Sequence, residues 1–284
     1  MARSCRREGN TSTNMACTQR DHSLYGQAMR ILITNDDGIH AEGLRALEEV
    51  AREFGETTVV APDRNRSGVG QAITLLDPVR VRESTRRNWY AVEDGTPTDC
   101  VYVGMHHVMK NEPPDLVLSG INPGPNLGWD VFYSGTVAGA REAVLQGITG
   151  MSISLVSGDQ SPFGEIVPWV RRVIQRLVQS LPATPTCVNV NIPNPTQGPI
   201  RGIRAASVGQ RIYAKEVLVR TDPRGEDYLW IGGSAVHMPD IPGSDCNAIR
   251  DGYVSVSPLT VDPTCVESLA LLRGWEDEKN EGVL

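Results

Sequence analysis

Aromatic residues make up only 5% of the 284-residue chain, too few for the stacking surface with which proteins hold unpaired bases. An excess of basic charge is also missing. Against 27 Lys and Arg stand 34 Asp and Glu, a net charge of -7, so no global field draws nucleic-acid polymers or anionic membranes. A phosphate-bearing substrate would therefore need local positive charge, from a metal ion or from backbone amides. No apolar run approaches the roughly 20 residues of a membrane span, and the amino terminus lacks the apolar core of a signal peptide. The six cysteines (Cys5, Cys17, Cys100, Cys187, Cys246 and Cys265) form no C-x-x-C pair and no metal-finger spacing. The expectation is buried free thiols in a reducing cytoplasm.

What is present is ordinary for a globular protein with a full-sized core: 40% hydrophobic and 21% charged residues. Residues 1–28 are polar and aperiodic and read as a disordered extension. From Met29 onward the punctuation is that of alternating strands and helices. Short aliphatic runs predict strands at Ile31–Ile33, Thr57–Ala61, Val79–Arg82, Trp89–Val92, Asp115–Ser119, Met151–Leu155 and Thr186–Asn191. Between them, helical spacing predicts helices at Ala41–Phe54 with Gly55 as a stop, near Cys100–His107, at Thr136–Leu145 and at Phe163–Leu181. The pattern is that of an α/β fold with a doubly wound, mostly parallel sheet.

After about residue 200 the pattern changes. Tyr213–Arg220 and Tyr228–Gly232 flank the turn sequence Thr221–Gly225, which predicts a long β-hairpin whose mixed strands cannot bury a core alone. A return strand at Gly252–Leu259 and a terminal helix at Pro263–Arg273 complete the chain. The expected division is an extension (1–28), an α/β catalytic core (29–200), an arm with its return strand (201–262), and a C-terminal helix and tail (263–284).

Three loops that follow strand-like runs carry unusual polar density. The first is Asn35-Asp36-Asp37-Gly38, the second Ser67-Gly68, and the third runs from Ser119 to Gly128 through Asn122 and Asn126. In an open α/β sheet, loops after parallel neighbouring strands open at one edge, where ligands bind. Two adjacent carboxylates converging on one point repel each other unless a proton or cation lies between them. With the Ser67 hydroxyl and the Asn122 amide carbonyl, Asp36 and Asp37 make an all-oxygen set suited to Mg²⁺ or Mn²⁺ and, without histidine or thiolate, unlike a zinc site. Downstream, Ser134-Gly135-Thr136 opens a helix, and orphan amides with two hydroxyls at a helix start form a ready anion site. A metal beside an oxyanion cradle is an arrangement for hydrolysing phosphate esters.

The segments ITNDDGIHAEGL, VVAPDRNRSGVGQAITL, GTPTDC, DLVLSGINPGPNLGWDVFYSGTVAGAREA, CVNVNIP and DGYVSVSPL closely resemble, in order, those of the SurE (survival protein E) family of metal-dependent 5'/3'-nucleotidases. The resemblance implies one divalent ion per subunit, Mg²⁺ or Mn²⁺, held by Asp36, Asp37, Ser67 and Asn122. It places Asn126 and the Ser134-Gly135-Thr136 loop on the phosphate, and it implies a homodimer or tetramer with the arm and terminal helix exchanged between subunits. Glu42, Gly139 and Thr149-Gly150 depart from the family pattern without touching a proposed ligand.

Haloacid-dehalogenase phosphatases also begin with a strand and acidic residues, but their D-x-D-G pattern spaces the aspartates by one residue, whereas here they are adjacent. His40 reads as a helix-entry residue at the rim, and Asp99 as a helix-start or supporting carboxylate. The expected function is hydrolysis of nucleoside 5'- and 3'-monophosphates by a cytoplasmic enzyme, with a water held by the ion or oriented by a carboxylate attacking in line. The alternatives are hydrolysis of short polyphosphate or general phosphate esters at the same site, and a nucleotide-binding module without turnover.

Overall fold

The computed structural model describes residues 28–157, 161–213, 217–232 and 236–275; the expected leader lies outside them. In chain order the elements are β1 (Met29–Thr34), α1 (Glu42–Ala51), β2 (Gly55–Pro62), β3 (Arg80–Glu83), β4 (Trp89–Glu93), α2 (Pro97–Val103), β5 (Leu116–Pro123), α3 (Gly135–Leu145), β6 (Gly150–Val156), α4 (Phe163–Gln179), β7 (Cys187–Pro193), β8 (Gly202–Ala205), β9 (Ile212–Tyr213), β10 (Val217–Thr221), β11 (Asp227–Ile231), β12 (Val236–His237), α5 (Asp245–Arg250), β13 (Tyr253–Leu259) and α6 (Val266–Leu272).

Nine strands form one sheet in the order β3-β4-β2-β1-β5-β6-β7-β13-β8. From β4 to β7 every neighbouring pair is parallel. β3 and β13 run antiparallel to β4 and β7, and β8 lies parallel to β13. The chain winds outward from β1 through β2 to β4, then returns and winds the other way from β5 to β7. The reversal point lies between β1 and β5, the crevice where doubly wound folds bind ligands.

Side chains of a strand alternate between faces, and β1 feeds two cores. Ile31 and Ile33 join Leu44 and Leu47 of α1 and Ile166 and Val170 of α4 in one cluster. Leu32 joins Cys100 and Val101 of α2 and Ala143 of α3 in the other. Helices thus cover both faces, and the buried strands read as continuous aliphatic runs for that reason.

Several boundaries differ from the sequence expectation. α1 ends at Ala51, so Phe54 packs only partly on the core and Gly55 opens β2 instead of merely stopping the helix. α2 begins at Pro97, set by a capping box in which Thr96 and Asp99 exchange side-chain-to-backbone bonds. It passes into a π-helical turn at Gly104–Val108. β5 runs on to Pro123, which puts Asn122 on a strand and not in a loop. α5 and β8 were not anticipated; each is short, and β8 has two exposed residues among its four.

The arm is present as the β10–β11 hairpin, with Val217 opposite Ile231, and all ten of its strand residues are exposed. Val266, Leu269, Leu271 and Leu272 of α6 are exposed as well. Cys100, Cys187 and Cys246 are buried free thiols, while Cys265 is exposed and also free. Among the described residues no helix is long and apolar enough to cross a membrane.

Leu47 of α1 is fully buried in the core. Leu47→Ala is expected to cost about 2–5 kcal/mol from lost burial plus the cavity left behind, measured as a shift in the urea midpoint. A loss below 0.5 kcal/mol would contradict the packing described.

Candidate active site

Because β2, β1 and β5 are adjacent and parallel, their carboxyl ends bring the loops carrying Asp36, Asp37 and Ser67, and the last residues of β5, to one edge of the sheet. The first turn is fixed by Asn35. Its amide donates to the Gly38 carbonyl at 3.1 Å, and its carbonyl accepts from the Gly38 amide at 3.2 Å. The second loop is tied to the first by the Arg66 amide, which donates to the Asp36 carbonyl at 2.6 Å. Ser67, the next residue, is exposed, and its amide donates to Asn65 Oδ1 at 2.9 Å. The side-chain amide of Asn122 donates to the Gly124 carbonyl at 2.8 Å, and its own carbonyl oxygen is an acceptor not used in that bond.

Asp36 is 3% exposed. The Thr136 hydroxyl donates to Asp36 Oδ1 at 2.6 Å, and the start of α3 closes directly on the carboxylate. A Cβ on Gly135 would lie 2.8 Å from Asp36 Cβ and 3.0 Å from Oδ2, so only glycine permits this approach. Burial raises the Asp36 pKa, opposed by the Thr136 hydroxyl and by nearby backbone amides. Asp37 has no such support. Its Oδ2 is buried without a hydrogen-bond partner, and burial, then the Asp36 charge, push its pKa up to about 7. An orphaned buried carboxylate oxygen beside a second carboxylate is a site short of positive charge. Two carboxylates, a hydroxyl and an amide carbonyl fit a hard divalent cation. Among the described residues, no cluster of three or more His, Cys, Asp or Glu side chains offers a rival metal site.

Ser134 is the N-cap of α3, its hydroxyl accepting from the Val137 amide at 3.0 Å. The expected phosphate-loop hydroxyls are therefore both engaged: Ser134 as a cap and Thr136 on Asp36. Asn126 lies farther along the sheet edge and is buried in a polar network. Its backbone amide donates to Asn191 Oδ1 at 2.8 Å, and its side-chain amide donates to Ser154 Oγ at 2.8 Å. Its carbonyl accepts from both Asn189 and Asn191, at 2.8 and 3.0 Å. Asn189 and Asn191 lie outside the sequence-predicted site, although two asparagines two apart in a strand buried along its whole length (Cys187–Pro193) are a visible signal.

Other candidates take supporting places. His40 is exposed at the rim. The guanidinium groups of Arg64 and Arg66 both pair with Asp94. Asp99 caps α2 and also accepts from the amide and hydroxyl of Thr74, at 2.8 and 2.7 Å, pinning the loop after Ser67. A cavity of about 440 Å³ at the amino ends of β1 and β2, lined by Arg30, Thr57, Tyr90 and Lys110, contains none of the candidate residues.

Fold and site together define a doubly wound α/β protein with two adjacent carboxylates at its topological reversal point. Residues 31–215 match the model of the family described as survival protein SurE. The chain is 48% identical over 249 residues to the 5'-nucleotidase SurE of Anaeromyxobacter dehalogenans strain 2CP-C, covering 87% of this chain and 96% of that one. It is 42% identical over 254 residues to the 5'-nucleotidase SurE of Vibrio cholerae strain N16961, covering 89% and 100%. The crystal structure of the SurE protein from Aquifex aeolicus superposes with a TM-score of 0.77 at 38% identity, covering 87% and 100%. The chain belongs to the survival protein SurE family.

The raised pKa of Asp37 fixes the sign of a pH effect. Between the ordinary carboxylate value of 3.8 and about 7, Asp37 in the metal-free folded state holds a proton that the unfolded state has lost, so its contribution to stability falls as pH rises through that window. In chelator, the unmodified protein is expected to lose thermal stability from pH 4 to pH 7, and Asp37→Asn to show a shallower fall and a higher Tm at pH 7.5. Identical pH profiles for the two proteins would contradict the assignment.

Proposed function

We propose that the protein is a 5'-nucleotidase that hydrolyses nucleoside 5'-monophosphates, and 3'-monophosphates as well, to nucleoside and phosphate with the help of one Mg²⁺ or Mn²⁺ ion per subunit. The observation that carries this reading is the Asp36–Asp37 pair: Asp36 is buried and closed against the start of α3, and half-buried Asp37 keeps an orphaned oxygen. The names of the SurE relatives supply the substrate class.

In this reading Asp36, Asp37, Ser67 and Asn122 hold the ion, which when bound neutralises the pair, polarises a phosphoryl oxygen and lowers the pKa of a nearby water. Thr136 aims Asp36 and favours its charged form, against the effect of burial, by donating to Oδ1. Asn126 and the Ser134-Gly135-Thr136 loop receive the phosphoryl oxygens: the Ser134 oxygen accepts from the Val137 amide, which leaves its own proton to donate. The carboxylates orient the attacking water in line with the leaving ribose oxygen. The exposed aliphatic and aromatic side chains of the β10–β11 hairpin and α6 favour a homodimer or tetramer in which a second subunit covers them. The free thiols favour the cytoplasm.

Phosphate release from a panel of nucleoside monophosphates, short polyphosphate and p-nitrophenyl phosphate, with Mg²⁺ or Mn²⁺, tests the reading. Nucleoside monophosphates are expected to give the highest kcat/KM, and Asp36→Asn to lose on the order of a hundredfold in kcat while folding normally. Full turnover by Asp36→Asn, or by the chelated protein, would overturn the metal role. Highest kcat/KM on polyphosphate would reassign the substrate, and binding without release would make the chain a nucleotide-binding module.

A further inference from the structure

Two carboxylates outside the catalytic set converge on the short turn that joins Asn126 to Ser134. Asp245, the first residue of α5, is fully buried. Its Oδ2 accepts from the Gly128 amide at 2.9 Å, and its Oδ1 accepts from the amides of Gly209 and Cys246 at 2.8 and 2.7 Å. Asp130, two residues after Gly128, accepts on one oxygen from the Tyr213 hydroxyl at 2.6 Å and from Arg211. Gly209, Arg211 and Tyr213 all belong to the base of the arm, just before β10. Gly128 has a φ of +55°, and a Cβ there would lie 2.9 Å from the Arg211 amide nitrogen and 3.0 Å from the Gln210 carbonyl carbon. The arm base and the turn are thus in backbone contact that no side chain could enter.

What that turn carries makes the clamp consequential. Residues 128–132 form a single 3-10 turn. Its amino side leads from Asn126, fixed on β6 and β7. Its carboxyl side runs through the Tyr133 and Ser134 amides, each donating to the Asp130 carbonyl at 3.0 Å, into the loop that meets Asp36. Asp130 therefore binds the arm with its side chain and the start of the α3 cap with its backbone. Moving Asp130 moves Ser134, and a displacement of about 1 Å in a positioning group costs on the order of a hundredfold in rate.

We propose that Asp130 is a positioning residue that couples the seating of the arm to the geometry of the Ser134-Gly135-Thr136 loop, with Arg211 and Tyr213 as its partners and Asp245 as the fixed anchor of the same turn. This rests on the nucleotidase reading for its kinetic consequence, though not for its structural one. The isolated arm strands have no core of their own, and the clamp makes their placement a condition of a correctly shaped site.

Tyr213→Phe removes one hydroxyl from an exposed residue, and Asp130→Asn removes one charge from a partly buried one, so both variants are expected to fold. The test uses the full-length chain and two readouts. In hydrogen exchange by mass spectrometry, without metal or substrate, both variants are expected to speed exchange in peptides covering 126–137 while leaving β1 and β6 unchanged. In phosphate release from AMP at a temperature where circular dichroism reports full folding, each is expected to lower kcat/KM fivefold or more. The double variant should lose less than the product of the two single losses, because both substitutions act on the same carboxylate, and Asp130→Glu should restore part of the loss. Unchanged exchange in 126–137, or unchanged kcat/KM in both variants beside an active unmodified protein, would overturn the coupling. Multiplying losses in the double variant would also overturn it. An inactive unmodified protein would overturn the nucleotidase reading instead, leaving the exchange result to decide the clamp.

Discussion

Two adjacent carboxylates, one buried and one half-buried, govern the rest of this structure. Asp36 and Asp37 follow β1 after Asn35, whose side chain closes the turn on Gly38. Left alone, the pair would hold a proton, as the raised Asp37 pKa of about 7 indicates. The surroundings divide the labour unequally. Asp36 receives the Thr136 hydroxyl and the approach of the α3 start, whereas Asp37 keeps a buried oxygen with no partner. A fold that wanted only stability would not leave that oxygen bare, since an unsatisfied buried acceptor costs about 1–3 kcal/mol. The cost is understandable where an ion is to be bound.

The doubly wound topology makes this pairing possible. It places the ends of β1, β2 and β5 side by side, so residues more than 80 positions apart meet at one edge. Behind them, the sheet face under α3 is polar where a core would ordinarily be aliphatic. Thr34 is in register with Ser119, Ser119 with Ser152, and Ser152 with Asn189. A second row runs from Asn122 through Ser154 and Asn191 to Ser255. These rows give Asn126 four hydrogen bonds through its main chain and side chain. The bonds among Asn126, Ser154, Asn189 and Asn191 fix one geometry where apolar packing would allow several, while the hydroxyls of Thr34, Ser119 and Ser255 in the same rows stay buried without a partner.

Much of this was legible in the chain. Aliphatic blocks marked the strands because both sheet faces are covered, and the acidic and glycine-rich loops marked the edge because polar density after a buried strand has few other uses. The terminal residues of elements were less legible: Gly55 reads as a stop, yet it opens β2, and Asn122 reads as loop, yet it continues β5. Tertiary pairing decided both. The clamp on Gly128 was not legible at all. Asp130, Arg211, Tyr213 and Asp245 are ordinary polar residues dispersed over more than 100 positions, and only the approach of the arm base to the turn makes them neighbours.

Diffraction from crystals grown with Mn²⁺, collected at a wavelength where manganese scatters anomalously, tests the central claim most directly. One strong anomalous peak per subunit is expected within bonding distance of Asp36, Asp37, Ser67 and Asn122, absent from crystals of Asp37→Asn. A peak held by other residues, or no peak at saturating Mn²⁺ near neutral pH, would contradict it.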